Sequence, residues 1–191
     1  MLADSLTPFM INELPVRGRV VRLGAVVDQI LSRHNYPEAV SRALAETLVI
    51  AGMLASNLKH QGVFTIQVQA KGAVTLLVVD AVFGGALRGY AQFDESKVAA
   101  LPKNSDLQDM FGEGHLAITL DTGEGAQRYQ GIVPLEGDSV CDAVSRYFTQ
   151  SQQMDISLKL ATGSLSIAGD ARQHWIAGGK KKKKMPDTPT Q

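Results

Sequence analysis

Apolar positions along the chain change their period twice, and the changes divide it into elements. Residues 16–23 (VRGRVVRL) suit a short strand, and Val26, Val27, Ile30 and Leu31 cluster on one side of a short helix over 25–33. Asn35-Tyr36-Pro37-Glu38 then breaks and restarts the chain. Pro37 is tolerated in a first helical turn, and Glu38 complements the positive end of the helix dipole. From about Pro37 to Leu58, the residues Val40, Leu44, Leu48, Ala51, Ala55 and Leu58 recur at helical spacing. Val49, Ile50, Met53 and Leu54 widen that stripe far beyond one face, so the helix is predicted to be buried on more than one side. Lys59 and Gly62 supply a favourable charge and a stop.

Beyond this helix the period becomes 2. Phe64, Ile66, Val68 and Ala70 alternate with Thr65, Gln67 and Gln69, the pattern of a half-buried strand with one polar face. Residues 74–79 (VTLLVV) are apolar on both faces and predict a central strand, and 86–93 (ALRGYAQF) alternate again. Lys71-Gly72 and Phe83-Gly84-Gly85 fit antiparallel hairpin turns. A short helix is predicted at Leu107 to Phe111, and a hairpin of 115–121 with 126–133 around Thr122-Gly123-Glu124-Gly125. A second amphipathic helix over about 138–150 begins at Asp138 or Ser139 as cap and buries Val140, Cys141, Val144, Tyr147 and Phe148. Strands at 156–160 and 164–168 follow, joined at Thr162-Gly163. Helices do not alternate one-for-one with strands. The fold class is therefore α+β, with mostly antiparallel sheet packed against a long buried helix (about 37–58) and a second helix (about 138–150).

Composition adds limits. The 191 residues suffice for one sizeable core, and 45% hydrophobic with 20% charged residues is ordinary for a globular domain. No apolar run is long enough to span a bilayer, and MLADSLTPFM lacks a basic region leading into an apolar stretch, so a cytoplasmic protein without membrane attachment is expected. The net charge of zero hides an asymmetry: without Lys180–Lys184, 14 basic residues face 19 acidic ones, a net of −5. A mildly acidic domain argues against a nucleic-acid surface. The run Lys180–Lys184 is itself readable as an anionic-polymer patch or, as we favour, a solvated tail leading into Pro186, Asp187, Thr188 and Pro189.

Catalytic and metal-binding signatures are weak. His34, His60, His115 and His174 share no metal-ligand spacing, and the single cysteine, Cys141, is too few for a cysteine-based zinc site or an internal disulfide. Cys141 lies on the apolar face of its helix, where an inert buried thiol is the favoured reading over a nucleophile in a small-molecule enzyme. The stretch Gly112-Glu113-Gly114-His115-Leu116-Ala117 mimics a dinucleotide fingerprint, but a strand rather than a helix is predicted after it, so its glycines are read as turn residues. No catalytic residues and no metal ligands are assigned.

Several stretches, in order, resemble the heat-shock protein 33 family of redox-regulated chaperones. The most telling is YQGIVPLEGDSVCDAVSRYFTQSQQ at 129–153, where a strand, a Leu-Glu-Gly-Asp turn and a helix with Tyr-Phe succeed one another. PVRG at 15–18, YPEAVSRALAETLVIAGMLASNLK at 36–59, FTIQVQAKG at 64–72, LRGYA at 87–91 and GEGHLAIT at 112–119 support it. The resemblance covers nearly everything up to Gly179 and implies the family's client-binding domain over 1–179. The implied activity is an ATP-independent holdase that binds unfolding proteins under oxidative and heat stress, commonly as a homodimer. The family also implies a C-terminal domain whose four cysteines hold zinc when reduced. Those cysteines are absent here, so zinc is expected in the full-length family member and none in this chain. Where the family has an apolar segment between Gly178-Gly179 and Met185-Pro186, this chain has five lysines, which cannot form a core strand because each buried unpaired charge costs several kcal/mol. Residues 180–191 are accordingly read as a tail at the start of a linker. Clients are expected on an apolar sheet face that includes Phe64, Ile66 and Val68; the same alternation fits plain core, the reading we place first.

Overall fold

The structure, a computed structural model, describes residues 3–14, 16–58, 62–122, 128–154 and 156–162. Five strands form one antiparallel sheet: β3 (Val63–Ala70), β4 (Val74–Val82), β5 (Leu87–Phe93), β6 (Gly114–Asp121) and β7 (Tyr129–Pro134), in the order β5-β4-β3-β6-β7. A separate hairpin pairs β1 (Ser5–Ile11) with β2 (Val16–Arg22). The helices are α1 (Ala25–Leu31), α2 (Glu38–Ala55), α3 (Glu95–Ala99), α4 (Leu107–Phe111) and α5 (Val140–Ser151). The α+β architecture with antiparallel sheet is the one expected from the pattern.

The sheet's register explains how the helices seat. On one face, three rows run across all five strands. One is Ala91, Leu77, Val68, Leu116 and Val133; the next is Gly89, Val79, Ile66, Ile118 and Gly131; the third is Leu87, Ala81, Phe64, Leu120 and Tyr129. The middle row is bulky at its centre and glycine at both ends. A Cβ on Gly89 would meet Leu44 Cδ1 at 3.0 Å, and one on Gly131 would meet the Tyr147 ring at 2.5 Å. The two bare positions let α2 and α5 settle on either side of the ridge formed by Val79, Ile66 and Ile118. Buried residues of all five helices join this face in one core.

Local chemistry sets the helix ends. Ser139 caps α5 by accepting from Asp142 N at 3.2 Å, while the Asp142 carboxylate accepts from Asp138 N and from the Ser139 hydroxyl. Helix α2 starts where Pro37 predicts but stops at Ala55, three residues short of the expected end. There the Ser56 hydroxyl donates to Met53 O at 2.6 Å and the Asn57 amide to Leu54 O at 3.3 Å, and these side-chain bonds compete with a further helical turn. Gly112 has φ +61° after α4, and Gly114 opens β6, so the fingerprint-like glycines are turn residues between a helix and a strand.

Two expectations differ in detail. The central strand is β3, with its polar Gln67 and Gln69, while the apolar 74–79 segment is its neighbour β4. Among the described residues, 156–160 carry no strand pairing, although Leu158 and Leu160 face inward and Ser157 and Lys159 outward as period 2 requires. The predicted strand at 164–168, the predicted turn Thr122-Gly123-Glu124-Gly125 from Gly123 onward, and the tail with Lys180–Lys184 lie outside the described residues.

Candidate functional site

The other face of the five-stranded sheet carries no helix among the described residues. Its rows are built from the complementary positions. Tyr90, Val78, Gln67, Ala117 and Ile132 form one row across β5, β4, β3, β6 and β7. Tyr90 and Ile132 at its ends are 44% and 59% exposed. Beside it runs a polar row of Arg88, Asp80, Thr65, Thr119 and Gln130. Side chains of this row bond one another in two groups. Arg88 Nε donates to Asp80 Oδ2 at 2.6 Å, the Thr65 hydroxyl donates to Asp80 Oδ1, and Gln130 donates to the Thr119 hydroxyl at 3.0 Å. Past the polar row come Val82 and Val63, and past the apolar row Leu76, half-buried beside Gln92 and Gln69. The face is therefore a broad platform with exposed apolar side chains at its two edges and Val78, Gln67 and the buried Ala117 between them.

This face also carries His115, exposed on β6 in register with Gln69 and Pro134. It also has exposed apolar area that gains by leaving water. The β1–β2 hairpin adds exposed Leu6, Met10, Ile11, Leu14 and Val20 at another part of the surface. Its position is fixed by Asp4, whose carboxylate accepts from Gly24 N at 2.5 Å and Val26 N at 2.9 Å and so caps α1 from across the hairpin.

The sequence-predicted residues fall elsewhere. Phe64, Ile66 and Val68 lie on the inner face, and Ile66 and Val68 are wholly buried. The alternation in β3 is as read, but the face it marks is the one covered by α2. Cys141 is buried on α5, and burial, reinforced by the Asp142 and Glu46 charges, pushes its thiol up to about 12. A thiol so protonated is a poor nucleophile at neutral pH. His34 is exposed and stacks against Tyr36 and Tyr90, and His115 is exposed on β6, far in character from a ligand cluster. His60 and His174 lie outside the described residues.

With this geometry in view, the kinship of the chain is decided by a family model, "Hsp33 protein", which matches residues 4–189. The chain belongs to the Hsp33 family. The "33 kDa chaperonin" of Caulobacter vibrioides (strain NA1000 / CB15N) is 41% identical over 182 residues, covering 94% of this chain and 60% of that protein. The 33 kDa chaperonin of Shigella flexneri serotype 5b is 35% identical over 188 residues, covering 98% and 61%. The crystal structure of the 33 kDa chaperonin from Thermotoga maritima superposes with a TM-score of 0.71 at 23% identity, covering 91% of this chain and 58% of that one, and so shows the shared fold. The chain spans about 60% of the length of these curated relatives.

Membership in the Hsp33 family raises the zinc question, and the residues in hand do not fit it. Among the described residues no three histidine, cysteine or acidic side chains converge, and the whole sequence contains one cysteine. Among the described residues no helix is long and apolar enough to cross a membrane. The open sheet face escaped the sequence reading because its strips are shared among five strands. Only the register, which no local pattern reveals, brings Tyr90, Val78 and Ile132 into line.

Proposed function

We propose that this chain is an ATP-independent holdase that binds unfolding proteins and keeps them from aggregating, with the open sheet face as its client platform. The observation that carries this reading is the Tyr90-to-Ile132 row lying beside a polar row whose side chains bond one another as Arg88–Asp80–Thr65 and Gln130–Thr119. Exposed Tyr90 and Ile132 at the two ends of the row offer apolar contacts a sheet-width apart, which suits an extended chain better than a small molecule. Kinship with proteins named 33 kDa chaperonin supports the same role. Binding of this kind requires no nucleotide and no catalytic group. Its partners are unfolded polypeptides in the cytoplasm, and a homodimer is the working form the family resemblance brings.

Phe64, Ile66 and Val68 take part in this reading only as the support beneath the platform, unless a client parts the sheet from α2. Redox control in the full-length family rests on a zinc domain, so holding by this chain is proposed to be indifferent to reductant. The deciding experiment mixes the chain with a thermally unfolding client, without ATP, with and without reductant, and follows light scattering. Suppression that ignores reductant is expected. Unchanged scattering at several-fold excess over client would sink the holdase reading.

A further inference from the structure

Tyr36, in the turn between α1 and α2, is bound to the margin of the large sheet. Its hydroxyl accepts from Ala91 N of β5 at 3.2 Å. Among the described residues, β5 stands at one end of the strand order. Along an antiparallel strand, a residue's N–H and C=O point to the same side, and the side alternates from one residue to the next. Ala91 lies opposite Leu77 of β4, yet its N–H reaches Tyr36, so this N–H points away from β4. The tyrosine hydroxyl therefore occupies a main-chain donor that an added strand would use.

The turn straddles this margin. On the inner face the ring of Tyr36 lies 6.0 Å from that of Phe93, and both residues pack against the main core. On the outer face His34 meets Tyr90 edge-on at 5.8 Å, and the rings of His34 and Tyr36 lie 5.1 Å apart. The Ser41 hydroxyl donates to Tyr36 O at 3.3 Å and ties the turn to α2. The hydroxyl is thus held at Ala91 by contacts on both faces of the sheet.

An end strand that offers its main chain is a template for another chain, and proteins blunt such edges by covering them. The sequence of β5, LRGYAQF, is compatible with itself in antiparallel pairing. Centred on Tyr90, that pairing sets Tyr90 against Tyr90, Leu87 against Phe93 and the one charged residue, Arg88, against Gln92. Aromatic and apolar pairs of this kind stabilise a ladder, and no like charges oppose each other. We infer that Tyr36 is an edge guard: by holding the Ala91 N–H it shuts β5 to strand addition by a second copy of this chain. The contact acts independently of client holding and of any homodimer formed elsewhere on the surface.

The test reads association beyond that of the unaltered chain. Tyr36→Phe keeps the ring between His34 and Phe93 and removes the acceptor. At low concentration the Ala91 amide should then exchange about two- to tenfold faster, the effect of one lost hydrogen bond. At higher concentration, sedimentation velocity should show a larger species than the unaltered chain forms. Adding Ala91→Pro to Tyr36→Phe leaves no N–H to offer at an edge position and should restore the unaltered size. An unchanged size for Tyr36→Phe overturns the inference, even where the amide exchanges faster, and so does a larger species that persists with Ala91→Pro. Should the proline variant fail to keep the native circular dichroism, Tyr36→Phe alone decides. The Gly89 and Ala91 amides must exchange more slowly as its concentration rises and edges pair, and exchange indifferent to concentration overturns the guard.

Discussion

Gly131 on β7 lies directly under the ring of Tyr147 on α5: a Cβ at Gly131 would stand 2.5 Å from Tyr147 Cε2 and 2.8 Å from its hydroxyl. Tyr147 is 2% exposed and cannot swing away into solvent. Gly131→Ala is therefore expected to destabilise the fold by about 1–3 kcal/mol through overpacking. At the opposite end of the same row, Gly89→Ala meets the side-chain ends of Leu44 and Leu48 at 3.0 and 3.2 Å and Val79 Cγ2 at 3.4 Å, looser contacts than at Gly131, and should cost less. Urea unfolding of both variants checks the order. A double-mutant cycle of Gly131→Ala with Tyr147→Leu should show coupling of about 0.5–3 kcal/mol, and strict additivity would mean the ring is not what the methyl meets.

The two faces of the sheet should separate stability from holding. Ile66→Ala empties a fully buried site in the middle of the core and is expected to cost about 2–5 kcal/mol. Ile132→Lys alters a 59% exposed position on the open face and should leave stability within about 0.5 kcal/mol. In the aggregation assay the ranking inverts. Ile132→Lys combined with Tyr90→Lys should raise several-fold the ratio of chain to client needed to halve scattering, because two charges interrupt the apolar row at both ends. Equal holding by the double lysine variant and the unaltered chain would move the client surface elsewhere.

How much of this was legible beforehand follows from the range of each interaction. The helices α2 and α5 and the strands β3 to β7 announce themselves because burial imposes a period on consecutive residues. The caps at Pro37 and Ser139 are equally local. The strand β1 gives no such signal: Pro8 interrupts it, and nearly all its side chains are exposed, so nothing alternates. The short α3 depends on Asp94 accepting from Ser96 and Lys97 backbone nitrogens, a cap that precedes only five helical residues. For the candidate site, the alternation of Phe64, Ile66 and Val68 was visible but not which side the helices would cover. Likewise, the glycines Gly89 and Gly131 look like ordinary strand breaks until the register sets them at the two ends of one row.

Cys141 offers a direct probe of the α5 packing. Its thiol is 8% exposed and is pushed up to about 12 by burial first and then by the Asp142 and Glu46 charges. Alkylation proceeds through the thiolate, so the folded chain should react with iodoacetamide at least about a hundredfold more slowly than the same chain in urea. A folded rate close to the unfolded one would revive the nucleophile reading that the sequence left open.

Glu46 supplies a pH dependence with a defined sign. Burial raises its pKa above the ordinary carboxylate value, outweighing the Arg42 charge and the hydrogen bond from Thr162, with a smaller push upward from Asp142. The folded state thus holds this proton more tightly than the unfolded state. The resulting stability is fully present below the unfolded pKa and is lost as pH rises through the higher folded value. At neutral pH the ionised carboxylate therefore burdens the fold. Glu46→Gln keeps an acceptor for Thr162 and removes the charge, so its melting temperature should exceed that of the unaltered chain at about pH 8, with the gap closing at about pH 4 where Glu46 is protonated. Melting curves at the two pH values settle it: a gap that stays constant, or opens toward acid, would show that desolvation does not govern this carboxylate.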